Sequence, residues 1–291
     1  MSPLRGLYSH YVKIGELRLL FHLTDTHAMG STSCLTGRYR PLRLAALLCA
    51  GMVTLGWGSA ARAETPAALA DFVQQLDDAA SQEDLSQVMQ AYSEDIVHGD
   101  GLTYDDIESA LSQFWEQYDN LRYRTEITSW EQEGSRYMTE TETRITGTRA
   151  LGAQRLRLMA TLTSQQEIVD GQIVSQTMLD ESSRVTAGAR PPQLEVNLPD
   201  GVDIGQQFYF DAIVLEPLEE RLLLGSATEE RISPISYASP AAAEFDLLSS
   251  GGLFKVGRAP AMPGQQWLSA VIIRDDGITG ITRRMQVTPV E

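Results

Sequence analysis

The sequence predicts an α+β region followed by an all-β region, and three observations carry that expectation. Apolar residues recur at helical spacing three times before residue 119. The period changes to two at Leu121 and holds over four long segments to Leu179. From Gln193 to the C-terminus, short alternating segments separated by turn signals take over. The expected architecture is three helices on an antiparallel sheet, then a β-sandwich of immunoglobulin-like type without its disulfide.

Each element has a local reason. Thr65-Pro66 reads as an N-cap with proline at the first helical position, and Leu69, Phe72, Val73, Leu76 and Ala80 then make one apolar face. A second helix starts at Asp84, carries Leu85, Val88 and Met89, and closes at Tyr92. Ile96-Val97-His98 is a short strand ended by Gly99-Asp100-Gly101. Thr103 with Asp106 three residues on forms a capping box, and Ile107, Ala110, Leu111, Phe114, Trp115 and Tyr118 form the stripe of a third helix. Tyr123, Thr125 and Ile127 begin the alternating strands, and Asp170-Gly171 is a two-residue hairpin joining the third long strand to the fourth. Beyond Gln193, strands are expected at Leu194 to Leu198, Phe208 to Val214, from Leu222, at Trp267 to Ile273 and at Ile281 to Val287, with a turn at Asp275-Asp276-Gly277. Gly251-Gly252-Leu253-Phe254-Lys255 reads as a glycine-rich loop with an anchoring phenylalanine.

Four segments follow: 1–63, 64–186, a linker at 187–192 and 193–291. Arg38, Arg40 and Arg43 precede an uncharged apolar run from Leu44 to Trp57 that leads to Ala61-Arg62-Ala63. This is the pattern of a secretory signal cleaved after Ala63, and the run is short of the roughly 20 apolar residues a membrane span needs. Residues 1–28 before Met29 are expected to be an over-long N-terminal extension. Ala187-Gly188-Ala189-Arg190-Pro191-Pro192 is the expected joint, since paired prolines continue neither a helix nor a central strand.

Two of the 39 acidic residues and seven of the 23 basic ones precede Glu64. The segment from Glu64 therefore carries 37 acidic against 16 basic residues, a net charge of −21. Such a field disfavours nucleic acid and anionic lipid surfaces as partners. Cys34 and Cys49 both precede the predicted cut, so disulfide, thiolate and cysteine-metal chemistry are not expected afterwards, and His98 is the one histidine left. No metal or other cofactor is expected.

Ile96-Val97-His98 after the second helix, and Val169-Asp170-Gly171-Gln172-Ile173 in the last hairpin of the first half, give an element order that resembles the nuclear transport factor 2-like (SnoaL-like) superfamily over roughly Glu64 to Arg184. The resemblance implies a cone: a strongly curved sheet around one long helix, with a pocket at the open end, serving as isomerase, cyclase, dehydratase or non-catalytic binding module. The isomerases carry a phenol on the first helix, and Thr65 to Ala80 has no tyrosine. In the second half, Leu198-Pro199-Asp200-Gly201-Val202, Val214-Leu215-Glu216-Pro217-Leu218 and Asp276-Gly277-Ile278 resemble the C-terminal part of uncharacterised two-part proteins of cyanobacteria. That resemblance implies a periplasmic or thylakoid-lumen setting and offers no activity to carry over.

The candidate site is Asp95 to Asp106. Tyr92, His98, Asp100, Trp115 and Tyr118 are the expected ligand-binding set, because pockets combine apolar and aromatic walls with few polar groups. Turn and cap chemistry alone explains the same stretch. Two functions stay open: an exported non-catalytic protein holding a small apolar ligand or a protein partner, including a second copy of itself, or a cofactor-independent cyclase, isomerase or dehydratase with His98 or Asp100 as base.

Overall fold

The computed structural model describes residues 64–291 except 220, 239–242 and 291; the expected signal and extension lie outside the described residues. The first half begins with α1 (Ala67–Ser81) and α2 (Leu85–Gln90), followed by β1 (Tyr92–His98) and α3 (Tyr104–Gln117). Four long strands complete it: β2 (Asp119–Glu133), β3 (Arg136–Leu151), β4 (Gln154–Val169) and β5 (Gln172–Gly188). None of the described helices is long and apolar enough to cross a membrane.

Local chemistry sets most of these boundaries. The Asp84 carboxylate accepts from the Gln87 N–H, and Thr103 and Asp106 form the reciprocal box that starts α3, with Asp105 and Asp106 at its positive end. The helix start at Thr65-Pro66 lies one residue further on than expected, because Pro66 itself takes the N-cap position without a side-chain bond. Tyr92 begins β1 rather than ending α2, since Ala91 already caps that helix. Asp170 (φ 50°) and Gly171 (φ 81°) both adopt the left-handed conformation that a two-residue hairpin requires.

The second half contributes β6 (Leu194–Asn197), β7 (Gly201–Asp203), β8 (Gln207–Val214), β9 (Leu224–Arg231), α4 (Pro234–Ala238), β10 (Asp246–Leu247), β11 (Gly252–Arg258), β12 (Gly264–Arg274) and β13 (Gly277–Thr288). The Gly251–Lys255 stretch is therefore an edge strand, not a loop. Its Phe254 is 58% exposed and anchors nothing, while Val256 sits opposite Tyr209 across β11 and β8, and Lys255 Nζ pairs with Glu229 at 3.3 Å.

The described strands form one large antiparallel sheet with few helices, in the order β10-β9-β12-β13-β5-β4-β3-β2, with β1 and β7 added in parallel, and a three-stranded sheet β11-β8-β6. The sequence expectation is of two domains joined at 187–192, and the hydrogen-bonded ladder runs across that joint. Strand β5 continues to Gly188 and pairs with β13 from Gly188↔Gly277 to Ser182↔Arg283. The 187–192 segment is held to β12 and β13: Arg274 donates to the Arg190 carbonyl and Thr279 to that of Pro192.

Three apolar clusters fill the interior. One joins α1, α2 and α3 to β2–β5 around Trp115, Tyr118, Leu121, Leu158 and Ile273. A second lies between the three-stranded sheet and β12–β13 around Phe210, Leu268 and Met285. A third packs Leu69, Met89 and Ile107 on Ile168 and Ile173. Burial of this apolar surface is the main favourable contribution to folding.

Candidate functional site

A cavity of about 240 Å³ lies between the helices and the inner face of β2–β5. Its walls are mainly apolar, with Leu76 from α1, Leu111 and Phe114 from α3, and Leu158 and Leu162 from β4. Strand alternation supplies the inward row from the sheet, Thr141 to Ile145 in β3 and Leu158 to Gln166 in β4, while in β5 an irregularity between Met178 and Asp180 shifts the alternation so that both Met178 and Glu181 face this space.

Tyr92 and His98 line the cavity, as do Gln176, Glu181 and Tyr237. The Tyr92 hydroxyl donates to Gln176 Oε1 at 3.4 Å, and burial pushes its phenol up to about 12. His98 Nδ1 accepts the backbone N–H of Asp100 at 3.1 Å, which places the proton of the neutral ring on Nε2. Burial lowers the His98 pKa; the nearby Asp100 charge opposes this and Arg284 adds to it.

Asp100 does not line this cavity. Its carboxylate receives both ends of the Arg284 guanidinium, Nη1 to Oδ1 and Nη2 to Oδ2, each at 2.9 Å, and the Tyr237 hydroxyl at 2.7 Å. Arg284 Nη2 also donates to Glu181 Oε2 at 3.1 Å, and the same oxygen accepts from Trp267 Nε1 at 2.8 Å. Nη1 is also shared with Gln265. Tyr237 stacks edge-on against Trp267 with centroids 4.7 Å apart. Side-chain exposure is 1% for Arg284, 4% for Asp100 and 6% for Glu181, so the charges are removed from water together.

The two carboxylates respond differently. Burial pushes the Asp100 carboxyl up, but the hydrogen bonds and charge of Arg284, helped by Tyr237 and His98, outweigh it and hold the group below its ordinary range. At Glu181 burial prevails over the same guanidinium and the Trp267 bond, and the carboxyl is raised. Arg284 loses by burial and gains more from its carboxylate partners, so its pKa rises.

Trp115 and Tyr118 stand in the packing layer behind the cavity wall. Trp115 Nε1 donates to the hydroxyl of Tyr123, a residue that does line the cavity, at 2.9 Å. Tyr118 is 4% exposed against Phe114, and burial pushes its phenol up to about 12.

Sequence reasoning missed Glu181, Tyr237, Trp267 and Arg284. One clue was available: Glu181 heads the inward row Glu181, Ser183, Val185, Ala187 of β5, an acid in a position that elsewhere holds buried small or apolar residues. Tyr237 gave none, since α4 is five residues long and outside any periodic pattern.

The His98 shift predicts a pH effect of defined sign. A folded-state pKa below the unfolded value of about 6.5 means that the unfolded chain takes up the proton first on acidification. Stability is then lost as the pH falls below about 6.5, by at most roughly 1.4 kcal/mol per pH unit from this one group. His98→Gln is expected to narrow the stability gap to the parent as the pH goes from 7 to 5, read by thermal melts; parallel curves would count against it.

Residues 189–288 match the family model described as "Domain of unknown function (DUF8623)". No curated protein matches the chain. Among solved structures, Bd1075 of Bdellovibrio bacteriovorus is similar at 15% identity and a TM-score of 0.29, covering 38% of this chain and 38% of that one. An LEH-like epoxide hydrolase from M. tuberculosis is similar at 18% identity and TM-score 0.27, covering 37% of this chain and 78% of that one. A candidate SnoaL-like polyketide cyclase from Shewanella putrefaciens CN-32 is similar at 12% identity and TM-score 0.30, with 40% and 90% covered.

Proposed function

We propose that the protein binds a small, mainly apolar molecule, without turnover, in the cavity between the helices and β2–β5. The observation that carries this reading is the cavity itself: about 240 Å³ walled by apolar and aromatic side chains, with polar groups from His98, Glu181, Gln176 and Tyr237. A dry apolar cavity of about 150 Å³ is enough for benzene, so this one suits one or two rings or a short alkyl chain. The basic and apolar pattern of residues 38–63 supports action after export, in a periplasm or thylakoid lumen. The nuclear transport factor 2-like element order supports a pocket-bearing cone with a sandwich behind it.

Cofactor-independent cyclase, isomerase or dehydratase chemistry is the lesser reading, because the bases it would use are engaged. His98 Nδ1 already accepts a backbone proton, and both Asp100 oxygens are held by Arg284. A protein partner, or a second copy of the chain, is favoured by a separate feature: Tyr209, Phe254 and Val256, each more than half exposed, share the outer face of the three-stranded sheet.

Ala160→Phe, which places a ring into the cavity from β4, tests the ligand reading. The parent is expected to be stabilised by short alkanols in a concentration-dependent thermal shift, and the variant to lose at least roughly tenfold in apparent affinity. Equal shifts in the two proteins would remove the cavity as the binding place.

A further inference from the structure

We infer that the ligand of this cavity is an amine: an alkyl or aryl body carrying a cationic head, held against Glu181 and aromatic faces. The inference rests on the binding reading above and adds the charge of the ligand to it.

Two carboxylates line the cavity, Asp77 and Glu181, and among the described residues no arginine or lysine does. The Asp77 carboxylate is oriented by Thr125, whose N–H and hydroxyl donate to it at 2.6 and 2.7 Å. Glu181 is held through Oε2 by Trp267 and Arg284, which fixes its position without spending the guanidinium on it alone. Arg284 gives both of its terminal nitrogens to Asp100, so one guanidinium is divided between two carboxyl groups and Glu181 does not have it to itself.

The rest of the lining agrees with a cationic head. Tyr92, Phe114, Tyr123 and Tyr237 line the same space, and aromatic faces attract an ammonium through their quadrupoles, most strongly where water is excluded. The His98 ring, kept neutral by burial, adds no opposing charge. An anionic head would have to give up its hydration and meet carboxylates with no free cation to receive it, which excludes fatty acids as the natural occupant. A neutral alcohol would find hydrogen bonds but no charge partner.

The test compares three ligands with one body, hexylamine, hexanol and hexanoate, by calorimetric titration of the protein at pH 7. The amine is expected to bind at least roughly tenfold more tightly than the alcohol, and the acid more weakly than both. Glu181→Gln is expected to remove most of the amine's advantage while leaving hexanol affinity within about twofold. Because that variant also alters the Arg284 cluster, Asp77→Asn is measured beside it; the Asp77 carboxylate is hydrogen-bonded to Thr125, away from that cluster, and the substitution is expected to lower amine affinity alone. Hexanoate binding as well as hexylamine would overturn the inference, as would an amine advantage that survives both substitutions. Binding of hexanol with no preference for the amine would overturn the charge assignment while leaving the cavity reading intact, whereas binding of none of the three would sink both.

Discussion

Arg284→Ala is expected to destabilise the protein by about 3–5 kcal/mol, the cost of removing one member of a buried ion cluster. For a chain of this length the fall in Tm is roughly 6–20 °C, measurable by calorimetry or urea unfolding. The guanidinium is 1% exposed and is the charge partner of both Asp100 and Glu181, themselves 4% and 6% exposed. Its removal leaves two carboxylates in a low-dielectric space with only neutral donors, the Tyr237 hydroxyl and the Trp267 indole. Each would then take up a proton at higher pH than before, so the loss should be larger at pH 8 than at pH 5. The cost belongs to orphaned charge rather than to lost attraction, and that distinction can be measured. Replacing the cluster as a unit, with Asp100→Asn and Glu181→Gln added to Arg284→Met, should recover much of the stability, since neutral groups of similar shape need no counter-ion. A single substitution costing under about 1 kcal/mol would mean that water reaches the cluster and that the burial described for it is wrong.

The same cluster marks where the sequence stops being legible. The starts of α2 and α3, the apolar face of α1, the alternation of β2–β5 and the Asp170-Gly171 hairpin were all readable, because each is decided by groups within four residues of one another. Tyr92, read as the end of the second helix, and His98, read as the end of a short strand, prove to be the two ends of one strand, and both line the cavity. Arg284 and Asp100 are 184 residues apart, and Tyr237 and Asp100 are 137 apart. No periodicity connects such pairs, and a charged residue in an alternating strand looks solvated until the neighbouring strand is known. Strand β11 failed for a related reason. Gly251 and Gly252 suggested a loop, yet Gly252 sits where the β8 backbone approaches closely, as Gly257 further along the strand does against the Phe208 ring, so glycine here serves the pairing. The joint at 187–192 was read from its prolines, which follow the end of β5 at Gly188; what they could not reveal is that β5 had already paired with β13 before reaching them.

That pairing makes Gly188→Ala the second large effect. Gly188 has φ of 98°, in the region L side chains avoid, and a Cβ built there would lie 2.5 Å from both the Asp276 carbonyl oxygen and Gly277 Cα. Both neighbours are backbone, fixed in the turn that links β12 to β13, so neither can swing aside. Strain of about 1–3 kcal/mol from the conformation and a similar amount from the overlap together give roughly 2–6 kcal/mol. Gly171→Ala is the appropriate comparison. It too has positive φ, 81°, but nothing lies within 4 Å of the added atom, so only the conformational part remains, about 1–2 kcal/mol. Urea unfolding of the two variants therefore separates crowding from backbone strain, and equal losses would show that the approach of β5 to the β12–β13 turn carries no weight. The position matters beyond its energy. Gly188↔Gly277 is the first rung of the ladder that ends at Ser182↔Arg283, next to Glu181 and Arg284. A methyl group that pushes the turn away at Gly188 loosens the register that sets those two side chains 3.1 Å apart. Gly188→Ala is thus expected to weaken ligand binding in the cavity as well as stability, whereas Gly171→Ala, at the far end of the same strand, should leave affinity unchanged.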